Sequence, residues 1–296
     1  MSERYAGDGV RTYGESVTGG YDWVYTGNLL HREQTPYQQL EVWEHPYFGR
    51  MLLLDGFVQT TEHDEFHYHE MLVHPALASL GQVRHVLIVG GGDGGALRRA
   101  LEHGPERVVQ CDIDEAVTRV SRELLPSVSA GALDDPRADI VFADGAAYVE
   151  ENPGSFDAIV VDSTDPFGPA AVLSSVGFFE SCSRALRPGG VIVQQTSNPL
   201  YQSDEMRVGV RNMSSVFETT EVYLGAVPTY PGVVWSFTCG THGTPVSHTS
   251  PEQVSARLGG RGIATRCYTP ELHRAAFALP AYVRDAVDEA VAEGRA

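Results

Sequence analysis

Five aspartates stand where chemistry could be concentrated. Asp93 lies inside a glycine-rich run, Asp112 closes an apolar strand, and Asp144 follows Phe142-Ala143. Asp162 and Asp165 share the run Val161-Asp-Ser-Thr-Asp-Pro166. The hydrophobic runs before them are of the kind that forms buried parallel strands. Ligands of open α/β sheets bind outside the carboxyl ends of such strands, so the five side chains should converge on one crevice. A rim of that many acids suits a ligand with several positive charges. A single Asp at a strand end is often only a helix cap, the reading that fits Asp114 and is open to Asp165 as well.

The loop around Asp93 narrows the ligand further. Gly90, Gly92 and Gly95 complete a G-x-G-x-x-G pattern between a strand and a helix, and Asp112 lies twenty residues beyond Gly92. Such a loop lets backbone approach a nucleotide closely and sets an acid on the ribose hydroxyls. Alone the pattern is weak, because a glycine-rich β–α turn can also stand without a ligand. Asp93 separates the ligands: facing the pyrophosphate of NAD, it would cost several kcal/mol through like-charge contact. A nucleoside without phosphates escapes that cost. S-adenosylmethionine and its relatives, adenosine joined to a sulfonium cation, fit the loop.

Two rival constellations fail on spacing. His63, His67, His69, Glu70 and His74 invite a metal reading, but His69-Glu70 with His74 makes H-E-x-x-x-H. Five residues turn a helix by about 500°, so these two histidines diverge, unlike the pair in H-E-x-x-H. No metal is expected. Ser163, Ser197 and Cys111 lack a G-x-S-x-G context, which leaves covalent catalysis unsupported. Cys111, Cys182, Cys239 and Cys267 lie far apart with no C-x-x-C, so neither a disulfide framework nor a zinc ribbon is expected.

These groups need a scaffold, and the hydrophobic pattern supplies one. From Tyr37 to Thr61 the chain reads as antiparallel β, with Asp55-Gly56 as a tight-turn signal. A helix is expected from about Asp64 to Ala78, capped near Thr61 or His63-Asp64, with Pro75 kinking or shortening it. After Arg84 strands and helices alternate, with strands at Val86–Val89, Arg107–Asp112, Ile140–Phe142, Ala158–Val161 and Val191–Val193. Helices Ala116–Leu125, ended by Pro126, and Val176–Leu186 lie between them. The β pattern returns over Glu218–Cys239, and helices follow Pro251, Pro270 and Pro280. The fold class expected is α/β, a Rossmann-like doubly wound sheet of the methyltransferase kind preceded by a small antiparallel β domain. The expected divisions are a loose lead-in over 1–20, a β domain with its connecting helix over 21–80, and the Rossmann-like domain over 81–296.

Composition bounds the remainder. At 296 residues the chain holds one large domain or a main domain with a smaller companion. No apolar run approaches the ~20 residues of a membrane-spanning helix, and the polar N-terminal stretch lacks a signal peptide's apolar core. A reduced, cytoplasmic protein is the expectation. Its 39 acidic residues against 21 basic ones give a net charge of −18, and every basic residue is arginine. Lysine is normally among the commonest residues, so its absence is a signal. The surface repels nucleic acid and anionic lipid, so neither is an expected partner. It suits a cationic substrate or a high-salt cytoplasm; a GC-rich genome would account for the arginine but not for the −18. Near 1 M salt the Debye length is about 3 Å, so a cationic ligand there must be held by direct contacts.

The sequence resembles the spermidine synthase, or polyamine aminopropyltransferase, family over most of residues 35–280. The likeness rests on Leu54-Asp-Gly-Phe-Val-Gln-Thr-Thr-Glu62, Asp64-Glu-Phe-His-Tyr-His-Glu-Met71 and Val89-Gly-Gly-Gly-Asp-Gly-Gly95. It continues through Asp162-Ser-Thr-Asp-Pro-Phe-Gly-Pro169, Pro228-Thr-Tyr-Pro-Gly232 and His273-Arg-Ala-Ala-Phe-Ala-Leu-Pro280. The resemblance implies aminopropyl transfer from decarboxylated S-adenosylmethionine, a substrate and not a cofactor, to putrescine or a related amine. It implies a homodimer or homotetramer. It places the nucleoside donor at Gln38, Asp93, Asp112, Asp144 and Gly145, with Pro169 in a closing loop. It places the amine at His69, Asp162, Asp165, Gln195 and Tyr230, with Asp162 as proton acceptor and Tyr68 beside it. The chain departs from the family at Asp112, where Glu is usual, at His63 and His67, and at Gln194-Gln195-Thr196-Ser197-Asn198-Pro199-Leu200, where many relatives carry an acidic or aromatic residue. The last departure touches the acceptor, which leaves agmatine, cadaverine and spermidine open beside putrescine. An S-adenosylmethionine-dependent methyltransferase and a non-catalytic polyamine- or nucleoside-binding protein are the rival readings, and an NAD oxidoreductase comes last.

Overall fold

Alternating residues draw the first part of the chain into one antiparallel sheet. The computed structural model describes residues 11–18, 20–164 and 168–296. Strands β1 (Arg11–Thr18), β2 (Tyr21–Gln34), β3 (Gln39–His45), β4 (Gly49–Leu54) and β5 (Phe57–Thr61) lie side by side in chain order. Asp55 and Gly56, between β4 and β5, both have positive φ, which is why Asp-Gly occupies this turn. β1 corrects the expected loose lead-in: residues 11–18 pair with β2. As a sheet edge of eight mostly polar residues, it shows little periodicity to read.

The second sheet has seven strands. They are β6 (His85–Gly90), β7 (Arg107–Asp112), β8 (Ala138–Phe142), β9 (Phe156–Asp162), β10 (Leu186–Gln195), β11 (Thr219–Ala226) and β12 (Val234–Thr241). Their order is β11-β12-β10-β9-β6-β7-β8, with the five from β10 to β8 parallel and the last two antiparallel. The strand order reverses between β6 and β9, the switch point where open α/β sheets take their ligands.

Helices α1 (Glu65–Ser79), α2 (Gly95–Glu102), α3 (Glu115–Leu124), α4 (Pro126–Ser129) and α5 (Gly145–Glu150) accompany the first half of this sheet. Helices α6 (Val176–Ala185), α7 (Ser203–Ser214), α8 (Pro251–Arg261), α9 (Pro270–Ala276) and α10 (Ala281–Gly294) complete the chain. Ser250 caps α8 with Pro251 in its first turn, and Thr269 does the same before Pro270.

α1, expected with the β domain over 21–80, packs instead inside the second sheet's core with Val86, Ile88, Val160, Tyr223 and Phe237. Pro75 neither ends nor shortens it. Proline removes the N–H that would bond the Met71 carbonyl, and the Tyr223 hydroxyl donates to that carbonyl instead, at 2.8 Å. The two sheets are also joined: Leu40, Val42, Leu52 and Leu54 share a core with Val117, Val120, Leu125 and Val128. Across the same seam, Thr229 is held by the Asp64 carboxylate, and the Tyr25 hydroxyl donates to the Thr229 carbonyl.

Candidate active site

At the switch point the register sets Gly90, the last residue of β6, beside Asp162, the last of β9. Gly90 has φ +83, and a Cβ there would lie 2.2 Å from the Asp162 carbonyl oxygen. Glycine is therefore required, and the Gly91 N–H donates to the same oxygen at 2.7 Å. A cavity of about 410 Å³ opens from this seam. Asp93, Asp112, Asp144 and Asp162 all line it, together with Gln38, Tyr68, Gly145, Gln195 and Tyr230. Leu52, Leu54 and Gln59 enter from the first sheet.

Tyr68, on the first turns of α1, donates its hydroxyl to Asp162 Oδ1 at 2.8 Å. Burial and the neighbouring Asp162 anion push the phenol well above its usual range, so it keeps its proton. Burial also raises the Asp162 carboxyl, to about 6, against the opposing pull of His69. Asp162 is thus ionised at neutral pH yet more basic than an ordinary carboxylate, which favours proton uptake from a bound substrate. Asp112 is raised by burial to about 6 as well, with the Asp114 N–H, 2.8 Å away, working against the shift.

The other expected residues divide by what they touch. Asp144 is exposed and caps α5 through Ala146 and Ala147 N–H while facing the cavity, so it serves both roles. Asp114 caps α3 as expected, and it also accepts from Gln38 Nε2 at 2.9 Å, which pins Gln38 at the cavity edge. Gln195 accepts from Trp235 Nε1 and from the Ser197 N–H, both at 3.0 Å, and donates to the Ser163 carbonyl. Its amide is neutral and spoken for. The Tyr230 hydroxyl donates to the Gln59 carbonyl at 2.6 Å, and its ring sits 5.6 Å from Tyr68 and 4.6 Å from Trp235. His69 departs from expectation: it does not line the cavity but stands behind Asp93, with Nε2 3.5 Å from Asp93 Oδ2 and Nδ1 2.9 Å from Glu65. Asp165 lies outside the described residues. Pro169 falls in a short 3-10 turn, Gly168–Ser174, and its side chain is outside them too.

The histidine-rich stretch scatters. His74 meets His103 at 2.9 Å, His63 stacks on Tyr47, and Glu70 accepts from the N–H groups of Arg266, Cys267 and Tyr268. Among the described residues, one trio brings ligand atoms within 4.8 Å of each other: His69, Asp93 and Asp162. Burial opposes a charge on His69, but the Asp93 and Glu65 carboxylates overcome it and raise the imidazole to about 10. Both ring nitrogens of His69 already face carboxylates, Glu65 at Nδ1 and Asp93 at Nε2. Cys111 lines the cavity as a thiol raised by burial to about 11, which gives no nucleophile.

Sequence reasoning missed several contributors. Glu15 reaches the cavity from β1, accepting from the Val58 N–H at 2.7 Å. Trp235 joins it from β12. Neither position carries a local motif; sheet pairing brings both to the site.

Fold and site together define a transferase built on a Rossmann-like sheet. Residues 65–249 match the spermine/spermidine synthase domain, and residues 26–62 match the spermidine synthase tetramerisation domain. The chain is similar to a polyamine aminopropyltransferase of Thermoanaerobacter sp., 45% identical over 258 residues, covering 87% of this chain and 91% of that one. A polyamine aminopropyltransferase of Salmonella arizonae is 42% identical over 261 residues, covering 88% and 91%. Among solved structures, a spermidine synthase in complex with the transition-state analogue AdoDATO aligns with TM-score 0.90 at 37% identity, covering 94% and 95%. The spermidine synthase from Thermotoga maritima aligns with TM-score 0.86 at 36% identity, covering 94% of each chain. The chain belongs to the spermine/spermidine synthase family of polyamine aminopropyltransferases.

Proposed function

We propose that this protein moves the aminopropyl group of decarboxylated S-adenosylmethionine to putrescine or a related amine, giving spermidine, or its counterpart, and methylthioadenosine. The observation that carries the reading is the Tyr68–Asp162 hydrogen bond at the switch point, beside a glycine loop that carries Asp93. An alkylammonium with a pKa near 10.4 must lose a proton before it attacks, and three pH units correspond to about 4 kcal/mol. Asp162 takes that proton while Tyr68 orients the nitrogen. The amine attacks the carbon beside the sulfonium in line, the C–S bond breaks, and its electron pair leaves on sulfur as a neutral thioether. Positioning supplies much of the rate.

In this reading Gln38, Asp112, Asp144 and Gly145 hold the nucleoside, and Asp93 faces the donor's ammonium tail. By resemblance to the family, Asp165 belongs to the amine site and Pro169 to the loop that closes over the site. Tyr230 and Tyr68 present two ring faces to the amine's cationic chain. His69 acts from behind the acids. No metal or cofactor takes part, so chelators should leave turnover unchanged. The tetramerisation domain supports a homo-oligomer, which we assign as a homodimer or homotetramer. Among the described residues no helix is long and apolar enough to cross a membrane. The acidic surface disfavours nucleic acid and anionic lipid as partners, and we assign the protein to the cytoplasm.

The test is a product assay with the decarboxylated donor and a panel of putrescine, agmatine, cadaverine and spermidine. Formation of methylthioadenosine with one preferred amine is expected. Methyl transfer from S-adenosylmethionine, or tight binding of both substrates without product, would overturn the reading.

A further inference from the structure

Behind the cavity runs a line of buried charges that the proton-transfer step does not touch. Arg99 Nη2 meets Glu65 Oε1 at 2.8 Å, and Glu65 Oε2 meets His69 Nδ1 at 2.9 Å. His69 Nε2 in turn faces Asp93 at 3.5 Å, and its ring nitrogen lies within 4.8 Å of an Asp162 oxygen. Arg99, Glu65 and His69 are all nearly inaccessible to water. Room for the ring comes from Gly95, where a Cβ would sit 2.1 Å from His69 Cε1.

Each element packed around His69 adds to the balance. α1 contributes Glu65, Tyr68 and Glu70, and α2 contributes Arg99 and Arg98, the latter 3.7 Å from Glu65. The β6–α2 loop contributes Asp93, and β9 contributes Asp162. A buried imidazole without acidic partners would be neutral. Here a carboxylate lies at each nitrogen, and His69 itself, followed by Arg99 and Arg98, holds the Glu65 carboxyl below its usual range against burial. Glu65 also sits one helical turn before His69, the spacing that puts both on one face of α1.

We propose that Glu65 is a positioning residue for the transfer reaction: it holds His69 as a doubly protonated imidazolium, and that cation keeps the Asp162 carboxylate ionised at neutral pH. The proposal rests on the aminopropyl-transfer reading given above. Without the cation, Asp162 would face Asp93 and Asp112 in a buried site and would protonate at higher pH, losing its place as acceptor. The amine is not needed to charge His69, so the device exists before substrate arrives.

Glu65→Gln keeps the shape and the hydrogen-bond acceptor but removes the charge. Two measurements test it. In wild type at pH 7.5, two-bond proton–nitrogen spectra of histidine-labelled protein should show both His69 nitrogens protonated; in the variant His69 should titrate between pH 6 and 9. In parallel, the acid limb of kcat/KM should move up by about one pH unit, the size of shift a close charge produces. Turnover lost at pH 7 should then recover toward wild type near pH 9. A purely structural role would lower turnover at every pH with the limb in place, which overturns the proposal. A wild-type His69 with one bare nitrogen at pH 7.5 overturns it too, and that spectrum decides alone if the variant does not fold. Wild type that shows the imidazolium but makes no product with any amine sinks the transfer reading and leaves the charged pairing standing.

Discussion

Replacing Asp162 with Asn should separate activity from stability. Asn is nearly isosteric, and its oxygen can still accept the Tyr68 hydroxyl now 2.8 Å away, but it cannot take a proton. Turnover at pH 7.5 should fall by about 10²–10⁴, the usual scale of general-base losses. Donor binding should change far less. Stability should move the other way. The folded carboxyl is raised from 3.8 to about 6, so between those values the folded state keeps a proton the unfolded chain has lost. Stability is therefore lost as pH rises through that window, and the loss is complete above it. The span corresponds to at most about 3 kcal/mol, and solvent in the open cavity brings the figure nearer 1. Asp162→Asn should raise unfolding free energy by about 1 kcal/mol at pH 7.5 and by almost nothing near pH 4. Urea denaturation at both pH values and a product assay measure the pair. In wild type, turnover should drop tenfold for each pH unit below about 6, where Asp162 protonates. Near wild-type turnover in the variant refutes the base assignment; a less stable variant at pH 7.5 refutes the burial argument.

Three further outcomes are expected. Gly95→Ala forces a methyl group against the His69 ring and should cost about 1–3 kcal/mol of stability along with activity; unchanged denaturation would show that the ring can move aside. Calorimetry should find decarboxylated S-adenosylmethionine bound at least about a hundredfold tighter than S-adenosylmethionine, and Asp93→Asn should narrow the gap, since close like charges cost several kcal/mol. Equal wild-type affinities would remove Asp93 as the selector. With a net charge of −18, the melting temperature should rise between dilute buffer and molar KCl, and a flat or falling curve would count against a salt-adapted host.

What could be read from the sequence followed from how each signal is encoded. The parallel strands are continuous apolar runs, so the acids at their ends could be placed at one rim, and Asp93, Asp112, Asp144 and Asp162 do line one cavity. Prolines fixed the starts of α8 and α9. α1 is buried on every side, so no apolar stripe showed which domain it joins. Tyr68 and His69 are neighbours in sequence, yet successive helix residues point about 100° apart, and only Tyr68 faces the cavity. Glu65 has no local signal, because its partner Arg99 is 34 residues away and on another helix. β1 and Glu15 carry no local signal, since a short, mostly polar edge strand gains its place only by pairing with β2.

The core shared by Leu40, Leu52, Val117 and Val128, with Thr229 fastened by Asp64 and Tyr25, makes the two sheets one thermodynamic object. The N-terminal sheet is then not a detachable module. Heat or denaturant should unfold both sheets in a single transition, and a chain lacking the first sheet would expose apolar residues on α3 and α4 and lose the fastening behind Tyr230. Exchange of this sheet between relatives should succeed only when the residues facing it on α3 and α4 travel with it.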